Sequence, residues 1–578
     1  MMPSHRLLPL HWTRGYDGAT LRADLLAAAI VTIMLIPQSL AYAMLANLPP
    51  EVGLYASILP LVAYAVFGTS RVLAVGPVAV VSLMTASAIG PVVAQGLANP
   101  LVAAAGLALL SGAMLVVAGI LRLGFLANFL SHPVISGFIT ASGILIAAGQ
   151  VRHILGIEAA GATLVEIVPA LAAQIGRTNP WTLAIGLGAL AFLWAARLWA
   201  RSGLTGAGLP GWLADMLARA APILAIAVSI LLVRALDLDE RGVALVGAIP
   251  QGLPRPGLPV LPPELLPALA PAALLISVVG FVESVSVGQT LAARRRERIA
   301  PDQELIGLGA ANIAAGLSGG YPVTGGFARS VVNHDAGAQT PAAGAFTAIG
   351  IALAALFLTP QLADLPQAVL AATIILAVLS LVDLRALARV LAYSPRDFLA
   401  MAATILVTLL VGVEQGISAG VILSLVMQLY RSARPHSAVV GQVPGTEHFR
   451  NVDRHEVITW PEILSLRVDE SLYFANSRFL EDRIAALVAE HPQVRHVVLM
   501  CPAVNDIDAS ALESLAEINR RLAEGGIKLH LSEVKGPVMD RLQRCDFLRH
   551  LSGRVFLSQH EAIRTLRGTG DQAAQKLS

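Results

Sequence analysis

The sequence predicts an all-α polytopic membrane domain followed by a soluble α/β domain, and two observations lead to this prediction. Of the 578 residues, 56% are hydrophobic and 13% are charged, whereas soluble domains are roughly 25% charged. Beyond residue 430 the composition changes, and strand-like runs alternate with amphipathic helical runs. The net charge of +2 gives no general attraction for nucleic acid.

The membrane part contains about fourteen apolar segments, several of them shorter than the ~20 residues of a spanning helix. They lie at 24–46, 54–67, 73–90, 98–121, 125–149, 178–196, 221–236, 270–291, 304–318, 322–333, 341–359, 366–382, 397–413 and 415–430. Counting fourteen spans places the arginine-rich loops, such as 294–298, on one side, which should be cytoplasmic. Both chain termini then lie in the cytoplasm, and the protein is expected in the inner (plasma) membrane in contact with lipid.

The predicted domain boundaries follow from these changes in composition. We expect a cytoplasmic N-terminal segment, a transmembrane domain, a linker that contains Pro435 and Pro444, an α/β domain and a disordered tail. Their ranges are 1–21, 22–432, 433–456, 457–570 and 571–578.

Two short apolar segments carry the strongest functional signal. One opens at Pro77 and continues through Val78 and Ala79, and the other opens at Pro322 and leads to Arg329. Broken backbone inside a membrane is tolerated only where it is buried in protein or lines a watery cavity, and a charge there indicates function. Half-helices that begin after such breaks offer free N–H groups to an anion. The predicted binding residues of the two segments are Val78, Ala79, Thr324, Gly325, Phe327, Ala328 and Arg329.

A spacing of 245 positions links the two halves of the membrane domain. It separates Pro77 from Pro322, and it also separates Gln38 in the first span from Glu283. Paired breaks at equivalent positions are typical of inverted-repeat transporters, so we predict a seven-plus-seven repeat. Glu283 is the acidic residue of its span and is the predicted proton-coupling site, with Arg329 as its charge partner when substrate is absent.

Five stretches of this chain resemble the SulP (solute carrier 26) anion permeases. They are Ile36–Ala43, Pro49–Ser57, Phe67–Arg71 followed by Ala74–Pro77, Glu304–Ile313, and Tyr321–Asn333. The resemblance implies core and gate subdomains, an elevator-like shift of the core, and a homodimer. It implies that Gln38 and Tyr42 join Arg329 in binding the anion and that Glu283 couples protons. The family often has Ser where this chain has Ala328, which leaves the anion open.

The resemblance extends to the C-terminal domain, which looks like a STAS domain of the anti-sigma-factor antagonist type. The stretch Asn505–Leu512 is similar to the loop-to-helix motif that is phosphorylated in those proteins. Ser510 matches the phosphoserine position and is a possible regulatory phosphosite, whereas Ala509 replaces the preceding Ser. A serine near a helix start also needs no phosphate to account for it.

The leading functional prediction is a proton-coupled symporter of a small inorganic oxyanion, with sulfate first. Sodium-coupled bicarbonate transport and dicarboxylate transport are alternatives, because a basic half-helix site also suits carboxylates. An anion channel, or a signalling protein whose C-terminal domain does the work, is a different class. We expect no enzyme, cofactor or metal site, since no nucleophile triad, metal-ligand cluster or phosphate-binding loop is visible.

Overall fold

The computed structural model describes residues 10–575, except for 14, 129–130, 160, 209, 211–213, 215–216 and 219. By its internal contacts the chain divides into two compact units, Met1–Ser424 and Leu425–Ser578. Parts of the predicted N-terminal segment (1–9 and 14) and of the predicted tail (576–578) lie outside the described residues.

The first unit is helical. Its helices are α1 (Gly18–Leu45), α2 (Pro50–Tyr55), α3 (Leu59–Phe67), α4 (Ala79–Ala94), α5 (Pro100–Ile120), α6 (His132–Leu155), α7 (Leu164–Gln174), α8 (Pro180–Ala195), α9 (Arg201–Gly206), α10 (Ala221–Leu236), α11 (Leu265–Arg294), α12 (Pro301–Leu317), α13 (Phe327–Asp335), α14 (Ala342–Phe357), α15 (Gln367–Leu379), α16 (Leu384–Tyr393) and α17 (Pro395–Leu410), and α18 (Val413–Ala433) begins in it. Within the described residues, eight helical stretches are long and apolar enough to cross a membrane. Each of the fourteen apolar segments overlaps a helix, and the count of fourteen spans stays a prediction.

Many of these helices begin where the sequence supplies a cap or a proline. The side-chain oxygen of Asp17 accepts from the amide of Thr20 at the start of α1, and that of Asn99 accepts from Val102 at the start of α5. Proline occupies the first helical position of α5, α8, α12 and α17, where its missing N–H would have no intrahelical partner. Local sequence therefore sets where these helices start.

The two proline-containing breaks lie against each other. Strand β1 (Val75–Gly76) pairs antiparallel with β2 (Thr324–Gly325), and α4 and α13 begin directly beyond them. The 245-residue spacing does not describe this pairing, because the first residues of α4 and α13 are 248 positions apart. Pro77 follows its strand whereas Pro322 precedes its own, so the two prolines are not equivalent, although the inverted repeat itself remains a prediction.

The second unit is built on a six-stranded sheet. Its strands are β3 (Ser437–Gln442), β4 (Phe449–Asn451), β5 (Ile463–Val468), β6 (His496–Met500), β7 (Lys528–Ser532) and β8 (Val555–Phe556), in the order β4-β3-β5-β6-β7-β8. Strands β5 to β8 are parallel and β3 is antiparallel to both neighbours. The helices are α19 (Ser477–Glu490), α20 (Ala509–Glu524), α21 (Gly536–Leu542), α22 (Phe547–His550) and α23 (Gln559–Gln575).

The predicted alternation of strands and helices is therefore present in this unit, but two predicted segments are different. The range 433–456 is not a plain linker, because it contains β3 and β4 at the edge of the sheet. Val440 and Phe449 bury their side chains there against Ile463, which an assignment based on prolines misses. Residues 571–575 belong to helix α23 here, and the disordered tail stays a prediction.

Candidate functional site

The crossing of β1 and β2 is fixed by polar side chains from neighbouring helices. The Asn312 side chain accepts from the amide of Val323 and donates to its carbonyl oxygen, both at 2.9 Å. Ser284 accepts from the amide of Gly325 at 2.9 Å, and Thr324 donates to the carbonyl of Gly280 at 2.6 Å. Because buried backbone groups must be paired, these contacts let the chain leave the helical conformation inside the unit.

The residues on α13 complete this arrangement from the other side. Ser330 accepts from the amide of Ala74 at 3.0 Å, and Asn333 donates to the carbonyl of Val72 at 3.0 Å. Both side chains are buried. The extended segment before α4 is thereby tied to the half-helix that carries Arg329.

Arg329 is buried, with 2% of its surface exposed, and its Nη1 and Nη2 atoms have no hydrogen-bond partner. Two glycines make room for its guanidinium group. A Cβ atom at Gly76 would lie 2.9 Å from Nη1, and one at Gly326 would lie 3.0 Å from Nε and Nη2. A guanidinium group is a planar fork of donors suited to carboxylates and tetrahedral oxyanions, and leaving a buried charged donor unpaired is costly. An acceptor from outside the chain would satisfy these two donor groups.

A cavity of about 510 Å³, the central cavity, opens in front of this guanidinium group. Predicted site residues from four separate parts of the chain line it, and they are Gln38, Tyr42, Val78, Ala79, Glu283, Phe327, Ala328 and Arg329. The N-terminal ends of α4 and α13 both border it, and free amides at such ends favour an anion. The structure therefore brings together most of the residues that the sequence singled out.

The hydrogen-bonding capacity of the cavity wall is largely unused. Neither the Gln38 amide nor the Tyr42 hydroxyl makes a hydrogen bond with the described part of the chain. By contrast, Thr373 and Ser380 direct their hydroxyls to carbonyl oxygens of their own helical turns. Gln38, Tyr42 and Arg329 therefore keep hydrogen-bond donors available on the side of the cavity formed by α1 and α13.

Two predicted binding residues, Thr324 and Gly325, do not line the cavity. Thr324 is 1% exposed, and its hydroxyl group lies 2.7 Å from that of Ser284. Both residues belong to β2, whose pairing with β1 uses their backbone groups. In this structure they hold the crossing of β1 and β2 in place. Sequence reasoning did not separate them from the residues that line the cavity, because it treated Thr324–Arg329 as one continuous motif.

Glu283 lies on α11 and faces the same cavity as Arg329. These two described side chains form no ion pair within 4.0 Å, so the predicted charge pair is absent from this structure. Both side chains nevertheless line the central cavity.

The opposite wall of the cavity comes from α8, α10 and α15, which sequence reasoning did not include. Its residues include Leu193, Arg197, Ala221, Leu376, Ala377 and Ser380. Most are apolar and sit within ordinary hydrophobic segments, so no local signal distinguishes them. The central cavity therefore lies between two groups of helices.

A second buried charge in this unit is fully paired. Glu304 is 1% exposed and accepts hydrogen bonds from the Tyr64 hydroxyl at 2.8 Å, from the backbone amides of Thr69 and Ser70 at 2.8 and 2.9 Å, and from the Thr69 hydroxyl. It anchors the turn that leads into β1. The sequence marked this glutamate only as part of a motif, since burial and partners are not visible there.

In the second unit, the possible phosphosite Ser510 is exposed in the first turn of α20. Asp508 caps that helix by accepting from the amide of Ala511 at 2.8 Å. Phosphorylation would add negative charge beside this carboxylate, and the regulatory role of Ser510 stays a prediction.

Comparisons with known proteins agree with this geometry. Residues 21–404 match the model of the sulfate permease family. The chain belongs to the sulfate permease family. Residues 455–562 match the STAS domain model. The resemblance drawn from the sequence is thereby confirmed, and so is the expectation of a membrane transport protein rather than an enzyme.

Relatives and solved structures extend the match over nearly the whole chain. Chloroplastic sulfate transporter 4.1 of Arabidopsis thaliana is 35% identical over 96% of this chain and 81% of its own length. A probable sulfate transporter of Mycobacterium tuberculosis is 33% identical over 96% of this chain and 97% of its own length. A structure of SLC26A9 superimposes with a TM-score of 0.88 at 22% identity, covering 98% of this chain and 93% of the other. The transmembrane domain of a cyanobacterial bicarbonate transporter, BicA, superimposes with a TM-score of 0.60 at 23% identity. This match covers 70% of this chain and 98% of the other.

Proposed function

We propose that this member of the sulfate permease family carries sulfate into the cell together with protons. The observation that carries the proposal is the buried Arg329 guanidinium, unpartnered at Nη1 and Nη2 and facing a cavity that also contains Glu283. Sulfate is a tetrahedral oxyanion that can accept from the guanidinium fork. Several relatives, including two high-affinity transporters of Stylosanthes hamata, are named as sulfate transporters.

Glu283 supplies the proposed coupling to protons. An ionised Glu283 would repel a dianion bound by Arg329, and the low polarity of the site strengthens that repulsion. Protonation of Glu283 removes this repulsion, so the anion and the proton bind best together. This reciprocal dependence is what symport requires, because each ligand raises the affinity for the other.

Sodium-coupled bicarbonate transport is the second candidate, and the surroundings of Glu283 favour protons over sodium. A sodium site would need several oxygen ligands around the carboxylate. On α11 the hydroxyl of Ser284, the residue after Glu283, is already engaged with Thr324 and with the amide of Gly325. Thr290 is exposed and donates to the carbonyl of Ser286.

The proposed movement is an elevator-like shift of one helix group against the other. One group, α1, α4, α11 and α13, carries the binding residues, and α8, α10 and α15 form the opposite wall. The cavity extends to Arg197 and Leu381, at the ends of α8 and α15 on the side that the arginine-rich loops assign to the cytoplasm. In this proposal the carrier is a homodimer in the plasma membrane with both termini in the cytoplasm, and a cavity open on that side is the one expected for an inward-facing state.

Uptake into proteoliposomes tests this proposal. An inward proton gradient should drive uptake of labelled sulfate by the unmodified protein, and Glu283→Gln should abolish the stimulation by the gradient while retaining sulfate exchange. The matched control is Glu264→Gln, which changes an exposed residue directly before the same helix. Gradient-driven uptake that survives in Glu283→Gln would rule out the coupling role, and uptake driven by sodium alone would favour the second candidate.

A further inference from the structure

A second cavity of about 260 Å³ lies beyond the central cavity, and we name it the outer cavity. It is lined by the end of α1, the second half of α4, the end of α6 and the loop and helix that follow. Its polar lining residues are Asn47, Ser87, Gln150 and Arg152. None of its described lining residues is acidic.

The three uncharged polar side chains of the outer cavity, Asn47, Ser87 and Gln150, make no hydrogen bond with the described residues. Gln150 is 7% exposed, yet its side-chain amide makes no hydrogen bond with the described residues, and neither do the side chains of Asn47 and Ser87. Burying an amide without a partner costs about 1–3 kcal/mol. Asn47 is exposed and Ser87 is half-buried, so the Gln150 amide is the buried group that a polar guest in this space would pair.

Arg152 gives this space its charge. Its Nε donates to the Nε2 of His153 at 3.2 Å and its Nη1 to the carbonyl of Ala159 at 3.2 Å. Among the described residues it forms no ion pair. Because no described carboxylate lies within 4.0 Å of this half-buried guanidinium group, its charge remains available to attract an anion.

The two cavities follow each other along the same two helices. On α1 the central cavity ends at Tyr42 and the outer cavity begins at Leu45, and on α4 the corresponding residues are Val80 and Leu83. One helical turn, about 5 Å, therefore separates them on each helix. Tyr42, Leu45, Leu83 and Ile146 pack in a single apolar cluster at this level, so the barrier between the cavities is thin.

We propose that the outer cavity is an entry site for the transported oxyanion, with Arg152 as its charge and Gln150 and Ser87 as hydrogen-bond donors. An anion from the Asn47 side would bind there before the apolar cluster opens and Arg329 receives it. The identity of the anion rests on the proposed function, whereas the preference of this site for negative charge does not.

The test places a thiol inside the outer cavity. The described cysteines, Cys501 and Cys545, both lie in the second unit, so Ser87→Cys in a Cys545→Ser background introduces a thiol into the first. Two membrane-impermeant methanethiosulfonates, one bearing a sulfonate and one a trimethylammonium group, are applied from the Asn47 side. The sulfonate reagent should react about tenfold faster, and millimolar sulfate should slow it.

Removal of the charge should abolish this preference. Adding Arg152→Gln should bring the two reaction rates within about twofold of each other, whereas Arg152→Lys should keep the preference. Arg241→Gln removes an exposed arginine that stacks on Trp181 outside the cavity, and it should leave the ratio unchanged. Three outcomes would each overturn the proposal. The thiol could fail to react with both reagents, the ratio of the two reaction rates could be unaffected by Arg152→Gln, or Arg241→Gln could change that ratio as much as Arg152→Gln does.

Transport kinetics give the second readout. In vesicles sorted by the accessibility of a C-terminal tag, Arg152→Gln should raise the KM for sulfate on the Asn47 side at least fivefold and leave the maximal rate within twofold. A purely structural role for Arg152 would instead lower the maximal rate on both sides. If the unmodified protein carries no sulfate, the proposed function fails, while the reagent ratios still decide whether the outer cavity selects anions.

Discussion

Two buried charged residues of the first unit, Glu304 and Arg329, differ in what surrounds them. Glu304 accepts four hydrogen bonds from Tyr64, Thr69 and Ser70. Arg329 is equally buried, but its Nη1 and Nη2 have no partner and face a cavity. A buried charge is tolerated when the fold satisfies it, so Glu304 has a structural role, whereas Arg329 is the residue that we propose for binding the anion.

The largest expected effect separates these two roles. Glu304→Gln places an amide nitrogen against donors and should cost about 3 kcal/mol of stability, seen as a lower melting temperature in detergent. Arg329→Gln removes an uncompensated charge and should leave the melting temperature unchanged or higher, while sulfate uptake falls at least a hundredfold. Equal destabilisation by both substitutions would remove the distinction.

A smaller effect tests the space around the guanidinium group. Gly76→Ala puts a Cβ about 2.9 Å from Nη1 of Arg329, at a residue whose φ is +153°. The side chain of Arg329 must then shift, and we expect about a tenfold rise in the KM for the anion, measured as initial uptake. Gly90→Ala on α4 is the control, since a Cβ there meets nothing within 4 Å. An unchanged KM in Gly76→Ala would show that the position of the guanidinium is not critical.

The smallest effect concerns a buried titratable group in the second unit whose partners require it to be neutral. His530 accepts from the amide of Arg554 at 3.0 Å, and its Nε2 lies 3.1 Å from Nδ1 of His496. Burial, and to a lesser extent the nearby positive charges of His496, Lys528 and Arg554, lower the pKa of His530 to about 4. Because the unfolded chain binds the proton more readily, stability is complete above pH 6.5 and decreases toward pH 4.

Hydrogen exchange of β7 measures this dependence in the full chain. The free energy of opening that is measured from exchange of the β7 amides should fall by about 1–2 kcal/mol between pH 7 and pH 5. His530→Gln should remove most of the change, whereas substitution of the exposed His448 by Gln should not. A pH dependence that persists in His530→Gln would assign it to other groups.

Composition and local signals predicted much of this molecule. Proline and glycine beside a charge marked the broken segments, and Arg329, Gln38 and Glu283 indeed line one cavity. The register of β1 and β2 was not predictable, because a proline does not reveal whether it precedes or follows its strand. The roles of Glu304 and Thr324 depend on contacts across hundreds of residues, and those contacts are visible only in the folded chain.

The opposite wall of the central cavity and the outer cavity were missed for a different reason. Leu376 and Ala377 resemble any residues of an apolar helix, so only packing assigns them to the wall. Arg152 and Gln150 stand near the end of α6, where polar residues are expected anyway. Sequence alone gave no reason to connect them with Ser87 on α4.

The most direct test of the central claim is the thermal shift produced by sulfate in purified protein. A ligand that binds only the folded state raises its melting temperature with concentration. The unmodified protein should melt higher as sulfate increases, and Arg329→Gln, which is expected to be at least as stable without ligand, should show no sulfate-dependent shift. An equal shift in both proteins would contradict the assignment of Arg329 as the anion-binding residue.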